Sequence, residues 1–179
     1  MSKLNVDQKA IIDLLSDKKA DFLIPDYQRP YAWSEEQCQT LWDDIFLFSF
    51  PDNNYEAFDD NEEYFLGSIV TYKNENGKSE VIDGQQRLTT LMLMLRAFYD
   101  KFESMKDKNS ILTRDRIEKC IWKTDTFGTA DKNTLKIDSE VATDNDKDEF
   151  LDLLRTGVVK KGSKSQYVLN YQFFQKKID

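Results

Sequence analysis

The chain of 179 residues contains no histidine and only two cysteines, Cys38 and Cys120. Without histidine it cannot form a Ser-His-Asp or Cys-His nucleophile, an HNH-type nuclease centre or an imidazole metal site. Two cysteines so far apart in sequence cannot supply a zinc site or a disulfide framework, and they suit a reducing compartment. Any chemistry must therefore come from carboxylates, amides, hydroxyls, arginine and backbone N–H groups.

Long hydrophobic runs are also missing. The longest apolar stretch spans residues 88–95, which is far short of the ~20 residues that a membrane span needs. The first ten residues lack the apolar segment of a signal peptide. The 33 acidic and 25 basic residues give a net charge of -8, which argues against a sequence-independent coat on nucleic acid but leaves room for a local basic pocket. We expect a soluble cytoplasmic protein with no membrane partner.

The apolar content is high enough for a folded core, with 12 Phe, 8 Tyr and 3 Trp. An α+β fold is expected, with a small mixed sheet packed against several helices. We expect a first domain over residues 1–105 and a mostly helical extension over 106–179 that is cut at its C-terminal end. Periodicity and capping residues predict helices over 5–19, 34–50, 85–103, 111–122, 144–155 and 166–179, and strands over 64–73, 79–82 and 134–139.

The most informative stretch is a strand that runs into Asp83 and Gly84, where a helix begins at once. Glycine permits a tight turn and a close approach. The first turn of a helix has unpaired N–H groups and favours an anion such as phosphate. Gln85, Gln86 and Arg87 add side-chain donors in that turn. The simpler alternative is that Asp83 caps the helix while Gln86 and Arg87 are solvated.

A second polar and aromatic cluster spans residues 24–33 and contains two prolines, Pro25 and Pro30, that restrain the backbone. Tyr31 and Trp33 could stack on a base, and Arg29 could contact a phosphate. The alternative is that Tyr27 and Trp33 are core anchors, with Tyr31 at the rim.

The remaining candidates are expected to be structural. Residues 52–63 hold six acids and no base, and such a run is typical of solvated surface rather than of a magnesium site. We interpret Asp138, Asp144 and Asp146 in the same way. Cys38 and Cys120 are expected to be core residues and not reactive thiols.

Taken together, residues 24–33, 64–70 and 81–95 resemble the N-terminal domain of GmrSD-type (type IV, modification-dependent) restriction proteins. The stretch Asp-Gly-Gln-Gln-Arg over 83–87 is the hallmark of this family, and the resemblance extends over roughly residues 8–103. It implies a ParB/sulfiredoxin-like fold in which a strand–Asp-Gly–helix turn holds nucleotide phosphates. It further implies that the domain binds a nucleoside triphosphate and hydrolyses it with Mg²⁺, coupled to DNA cleavage.

The resemblance also suggests roles for individual residues. Gly84 and the following N–H groups would cradle phosphate, Arg87 would neutralise it, Gln85 or Gln86 would orient water, and Asp83 would hold Mg²⁺. Arg29 would approach from the opposite wall. The candidate catalytic residues are Asp83, Gln85, Gln86 and Arg87, and the candidate nucleotide-binding residues are Tyr27, Gln28, Arg29, Gly84, Thr89 and Thr90.

One departure from longer family members limits the expected activity. Their nuclease activity belongs to a C-terminal HNH-type module with essential histidines, and this chain has no histidine. The chain alone should therefore not cut DNA, and such a module would be its partner in cis or in trans. Sulfiredoxin-type chemistry is disfavoured because no cysteine adjoins either motif. The alternatives to an NTPase are a non-hydrolytic, nucleotide-gated sensor of modified DNA or of a phage component, and an interaction scaffold.

Overall fold

The computed structural model describes residues 5–179, which form a mixed α+β fold as expected. The helices are α1 Ile11–Ser16, α2 Glu35–Ser49, α3 Gln85–Glu103, α4 Lys108–Ile121, α5 Lys147–Thr156 and α6 Gln166–Ile178. The strands are β1 Phe22–Ile24, β2 Val70–Lys73, β3 Ser79–Asp83, β4 Trp122–Thr124, β5 Ala130–Leu135 and β6 Ile137–Ser139.

The main sheet has four strands in the order β2-β3-β1-β6, and β4 pairs with β5 in a separate hairpin. The central strand β1 runs parallel to both neighbours, with Phe22 opposite Ser79 on one side and Ile137 on the other. Strand β2 is antiparallel to β3 at the edge. Since parallel strands share a direction, the carboxyl ends of β1, β3 and β6 meet at one edge of the sheet. Open sheets of this kind bind ligands at that edge.

Helix α3 is the central helix of the core, with the bounds that its periodicity predicts. Leu88, Leu91 and Leu93 are almost fully buried, and burial stabilises each such side chain by roughly 1.5–3 kcal/mol. Helix α3 packs against α4 and α6, and one hydrophobic cluster includes residues from Leu15 to Phe174. The buried core is thus continuous across residue 105, and the proposed domain boundary there stays a prediction.

Several predicted elements are shorter or divided. The helix predicted over 5–19 covers only Ile11–Ser16, because the chain turns at Asp17, whose carboxylate accepts the N–H of Lys19. The strand predicted over 64–73 is confined to β2, since residues 64–69 bend past Arg87 instead of pairing. The strand predicted over 134–139 is two strands, because the chain passes from the hairpin to the main sheet at Lys136.

Two helix boundaries also shift. Helix α4 begins three residues before the predicted start, where the carboxylate of Asp107 accepts the N–H of Ser110 and caps the helix. Helix α5 begins later than predicted and ends at Gly157, which takes the left-handed conformation. Within residues 5–179 no helix is both long and apolar enough to cross a membrane.

Candidate functional site

The residues singled out in the sequence meet at the carboxyl edge of β1, β3 and β6. A small cavity of about 10 Å³ lies there, which is close to the minimum for a single water molecule. Any ligand larger than a water molecule would therefore have to bind outside it or open it by moving a wall. The cavity is lined by Ile24, Arg29, Tyr31, Gln85, Gln86, Thr89, Ser139, Val141 and Tyr167.

Gly84 is the N-cap residue of α3 and has a left-handed backbone, with φ of 87°. A Cβ atom at this position would lie 2.8 Å from the carbonyl oxygen of Ser68, so only glycine fits here. Among residues 5–179 no side chain caps α3, and its first turn carries no acid. Asp83 is exposed at the end of β3, so the alternative in which Asp83 caps the helix is wrong. The N–H groups of the first turn are left for an anion.

The two glutamines of the first turn hold the loop that follows β1. The Oε1 of Gln86 accepts the N–H of Ala32 at 2.8 Å, and its Nε2 donates to the carbonyl of Pro30 at 3.1 Å. The Nε2 of Gln85 donates to the carbonyl of Arg29 at 3.3 Å. Gln86 is only 8% exposed, so the prediction of a solvated Gln86 is also wrong. We call residues 25–33 the latch loop.

Gln28, within the latch loop, attaches the loop to β3. Its Nε2 donates to the carbonyls of Val81 and Ile82, at 3.2 and 3.0 Å, at the end of β3. The latch loop is thus held both by β3 and by α3, with amide groups at each attachment.

The two arginines differ in how firmly they are placed. The Nη1 of Arg87 donates to the carbonyl of Ser68 at 3.0 Å, and the guanidinium lies against Gly67, where a Cβ would be 2.7 Å from Cζ. Arg87 is consequently half-buried and not solvated. Arg29 is exposed and lines the small cavity. Both cations lie near the start of α3.

Tyr31 is a buried anchor, contrary to both sequence interpretations. Its hydroxyl lies 2.7 Å from the Oγ1 of Thr90 and accepts the Nδ2 of Asn170 at 2.8 Å, while its ring stacks on Tyr167 at 4.7 Å. Burial raises the pKa of the phenol well above its ordinary value. Tyr27, in contrast, is 64% exposed. Stacking of Tyr31 on a base is therefore excluded, and Tyr27 is the tyrosine of the latch loop available for it.

The turn at the start of the latch loop explains why Tyr27 is exposed whereas Tyr31 is buried. The N–H of Gln28 donates to the carbonyl of Pro25 at 3.1 Å, and the turn points Tyr27 outward before the chain re-enters the core. Trp33 is partly buried against the core, as the alternative interpretation expected.

Sequence reasoning missed the second wall of the site, which comes from β6 and α6. The hydroxyl of Ser139 is buried and has no hydrogen-bond partner within residues 5–179. Asp144, expected at the surface, is buried and accepts the hydroxyl of Tyr167 at 2.5 Å. Asn170 donates to Tyr31 and to the carbonyl of Trp33. The available signal was Tyr167 and Asn170 at helical spacing on the apolar face of α6.

The carboxylates at this edge determine whether it could hold a metal ion. Among residues 5–179 there is no group of three or more His, Cys, Asp or Glu side chains that could hold a metal ion. Asp83 could contribute one ligand to Mg²⁺, which commonly takes only one or two carboxylates and completes its shell with phosphate oxygens and water. An ion held here would therefore take most of its ligands from water or from a bound molecule rather than from side chains of the described residues.

Comparison with known families agrees with the motif. The model of the GmrSD restriction endonuclease N-terminal domain matches residues 11–178. The chain belongs to this family. The match covers α4, α5 and α6 as well as the motif region, so Ser139, Tyr167 and Asn170 lie within the GmrSD N-terminal domain. A comparison with curated proteins gave no match. Membership associates this GmrSD domain with restriction.

Proposed function

We propose that this GmrSD N-terminal domain binds a nucleoside triphosphate with Mg²⁺ at the carboxyl edge and hydrolyses it. In this proposal it is the regulatory part of a modification-dependent restriction system, and a separate HNH-type module cuts the DNA. The main support is the uncapped start of α3, which begins at left-handed Gly84 beside Arg87 and Arg29.

The phosphates would bind at the first turn of α3. The N–H groups there and the positive end of the helix dipole favour a phosphate oxygen. Since Arg87 uses Nη1 to hold Ser68, its remaining donors can bind phosphate from a fixed position. Arg29 would add a second positive charge from the latch loop, and exposed Tyr27 would stack on the base.

The hydrogen bonds support different roles for the two glutamines in this proposal. Both amide atoms of Gln86 are used by the latch loop, so Gln86 is a positioning residue. The Oε1 of Gln85 accepts no hydrogen bond from residues 5–179 and can orient a water for attack on the terminal phosphate. Thr90 donates to the carbonyl of Gln86 at 2.8 Å and therefore positions it, whereas Thr89 lines the cavity.

Mg²⁺ would be held by Asp83 together with phosphate oxygens, and it would neutralise part of the charge of the triphosphate. The exposure of Asp83 at the end of β3 makes it accessible to such a complex from solvent.

Nucleotide binding would be coupled to the position of the latch loop. The cavity of about 10 Å³ is too small for a phosphate group, so a ligand reaching Gln85 and Ser139 has to displace this loop. Asn170 joins the loop to α6, and a displacement would therefore reach the last helix. This linkage is a physical route from nucleotide occupancy to an attached nuclease.

The hydrogen bonding of the glutamines also supports the second candidate, a non-hydrolytic nucleotide-gated sensor. The Nε2 groups of Gln85 and Gln86 are both engaged with the latch loop. A site in which amides hold a loop can report occupancy without activating water.

The test compares Arg87→Gln with the matched control Arg116→Gln, because Arg116 is exposed on α4 and the change in charge is the same. Binding of each NTP with Mg²⁺ is measured by calorimetry, and phosphate release is measured in parallel. Loss of a charge-assisted hydrogen bond should weaken binding about tenfold or more in Arg87→Gln, with the control unchanged.

Binding with release that depends on Arg87 supports the NTPase. Binding without release, still dependent on Arg87, supports the sensor. Absence of binding for all NTPs, or equal weakening in both variants, would contradict a nucleotide site at this edge.

A further inference from the structure

Exposed aromatic and aliphatic side chains are concentrated at the end of α2 and in the segment that follows it. Seven of the sixteen large hydrophobic side chains that are exposed within residues 5–179 lie between residues 46 and 65. Leu47, Tyr55 and Phe65 are the most exposed of these, at 63, 72 and 79%. Single exposed hydrophobic residues are ordinary on a protein surface, whereas a contiguous group marks an interaction surface. We call residues 46–65 the aromatic face.

Contacts between rings hold the aromatic face together around the last turns of α2. On one side of the helix, the ring centroids of Phe46 and Phe50 are 4.9 Å apart. On the other side, the ring of Phe48 lies 5.8 Å from Phe58 and 5.7 Å from Tyr64. The segment after α2 is therefore folded back against the helix, and its exposed side chains form one surface with those of α2.

The aromatic face carries charge of one sign only. It contains six acids and no base, and all six acids are exposed. None of the six forms an ion pair with a basic side chain among residues 5–179. Carboxylates grouped in this way repel one another, and a partner that brings lysine or arginine would relieve the repulsion. The acids are Asp52, Glu56, Asp59, Asp60, Glu62 and Glu63.

This charge decides among the possible occupants of the face. The phosphate backbone of DNA or RNA has the same sign of charge and would be repelled. A second copy of the chain, bound about a two-fold axis, would use the same patch on both partners and would set acid against acid. Specific interfaces combine an apolar centre with a polar rim and complementary charge. The occupant that fits is a protein segment with apolar side chains flanked by lysine and arginine.

We propose that residues 46–65 are the docking surface for a basic, apolar segment of another protein. The apolar side chains of the partner pack against Leu47, Phe50 and Phe65, and its lysines and arginines pair with the acids of residues 52–63. An amphipathic helix with a basic polar face has both features. None of residues 46–65 lines the cavity at the carboxyl edge, so the proposal does not depend on the nucleotide site.

The test uses the whole chain and three synthetic helical peptides of equal length. The first has leucine along one face and lysine on the other, the second has glutamate in place of lysine, and the third has glutamine in place of leucine. Amide NMR locates binding, because the first peptide should shift the resonances of residues 46–65 in a saturable way. The second and third peptides should bind at least tenfold more weakly, since one has the wrong charge and the other has no apolar face.

The apolar part of the surface is tested with two matched double variants. Leu47→Ser with Phe65→Ser alters the aromatic face, and Leu112→Ser with Phe127→Ser is the control elsewhere on the surface. All four side chains are more than half exposed, so both variants should fold. The first pair should weaken binding of the leucine–lysine peptide about tenfold, and the control should leave it unchanged.

The charged part is tested with two matched triple variants. Asp60→Asn with Glu62→Gln and Glu63→Gln should weaken binding of the same peptide about tenfold and reduce its dependence on salt. The control neutralises one aspartate and two glutamates that are also exposed and outside the ion pairs of the described residues, and it should leave binding unchanged. These are Asp148, Glu75 and Glu140.

The proposal is overturned if residues 46–65 show no saturable shift, or if the leucine–glutamate peptide binds as tightly as the leucine–lysine peptide. Equal weakening by the control variants would also overturn it, because binding would then follow overall charge or hydrophobicity. Sedimentation of the chain alone provides the last check. A dimer that Leu47→Ser with Phe65→Ser dissociates would show that a second copy, and not a basic partner, occupies the face.

Discussion

Replacement of Gln86 by leucine tests whether the motif glutamine holds the latch loop. The substitution keeps the size of the side chain but removes the acceptor for Ala32 and the donor to Pro30. Each lost bond contributes about 1 kcal/mol, and the partners left unpaired in this part-buried place add roughly as much again. We expect the free energy of unfolding to fall by about 2–4 kcal/mol.

The assay is urea unfolding together with a thermal scan. For a domain of this size each kcal/mol lowers Tm by roughly 2–4 °C, so Gln86→Leu should unfold roughly 5–15 °C earlier. A second variant, Gln86→Glu, keeps the acceptor for Ala32 but puts a carboxylate oxygen against the carbonyl of Pro30 in place of the donor. Because two acceptors then face each other, it should also unfold earlier than the wild type.

The control is Gln39→Leu on α2, where the half-buried side chain donates a hydrogen bond to Asp43 within the same helix. This change should stay within about 0.5 kcal/mol. If Gln86→Leu proves no more destabilising than Gln39→Leu, the conclusion that Gln86 holds the latch loop is refuted. Gln86 would then be free to contact a ligand.

Two further predictions concern glycine and the buried thiols. Gly84→Ala should lower the free energy of unfolding by more than the roughly 1–2 kcal/mol of left-handed backbone strain, because its Cβ would also clash with the carbonyl of Ser68. The control is Gly77→Ala, which has the same backbone strain but no atom near its Cβ. The difference between the two variants in chemical unfolding measures the clash. Burial raises the pKa of Cys38 and Cys120 from 9.0 to about 11. The folded state therefore favours the protonated thiols. Their contribution to the free energy of unfolding is fully present below pH 9 and is lost as the pH rises towards 11. Urea unfolding across this window should show the decline, and replacing both cysteines by alanine should make it shallower.

The local sequence predicted helices and their buried faces correctly where one hydrophobic periodicity continued over many residues. Helix α3 has its predicted bounds because apolar residues repeat over five turns behind the turn at Gly84. Helix α2 begins with a capping box between Ser34 and Gln37, in line with its predicted start at residue 34. The thiols of Cys38 and Cys120 are buried, in line with their positions on apolar helix faces.

Prediction failed where the partner of a residue is distant in sequence. Tyr31 was expected to stack on a base or to lie at the rim, and Asp144 to lie at the surface, although both are buried by contacts with Tyr167. The short strand β1 has too few residues to show a period, and its strand character depends on pairing with β3 and β6. When a partner distant in sequence buries a polar residue, the residues next to it in the chain do not predict that burial.

The sequence by itself determined the chemistry available to this GmrSD domain. The absence of histidine removed several catalytic classes, and Asp83 to Arg87 placed an arginine-bearing helix start directly after a strand. Only the tertiary structure decided which of these groups face a ligand. Parallel pairing of β1, β3 and β6 brings three distant segments to one edge, and hydrogen bonds commit Gln86 to the latch loop. Residue type sets what a side chain can bind, whereas long-range packing sets which of its atoms remain unpaired.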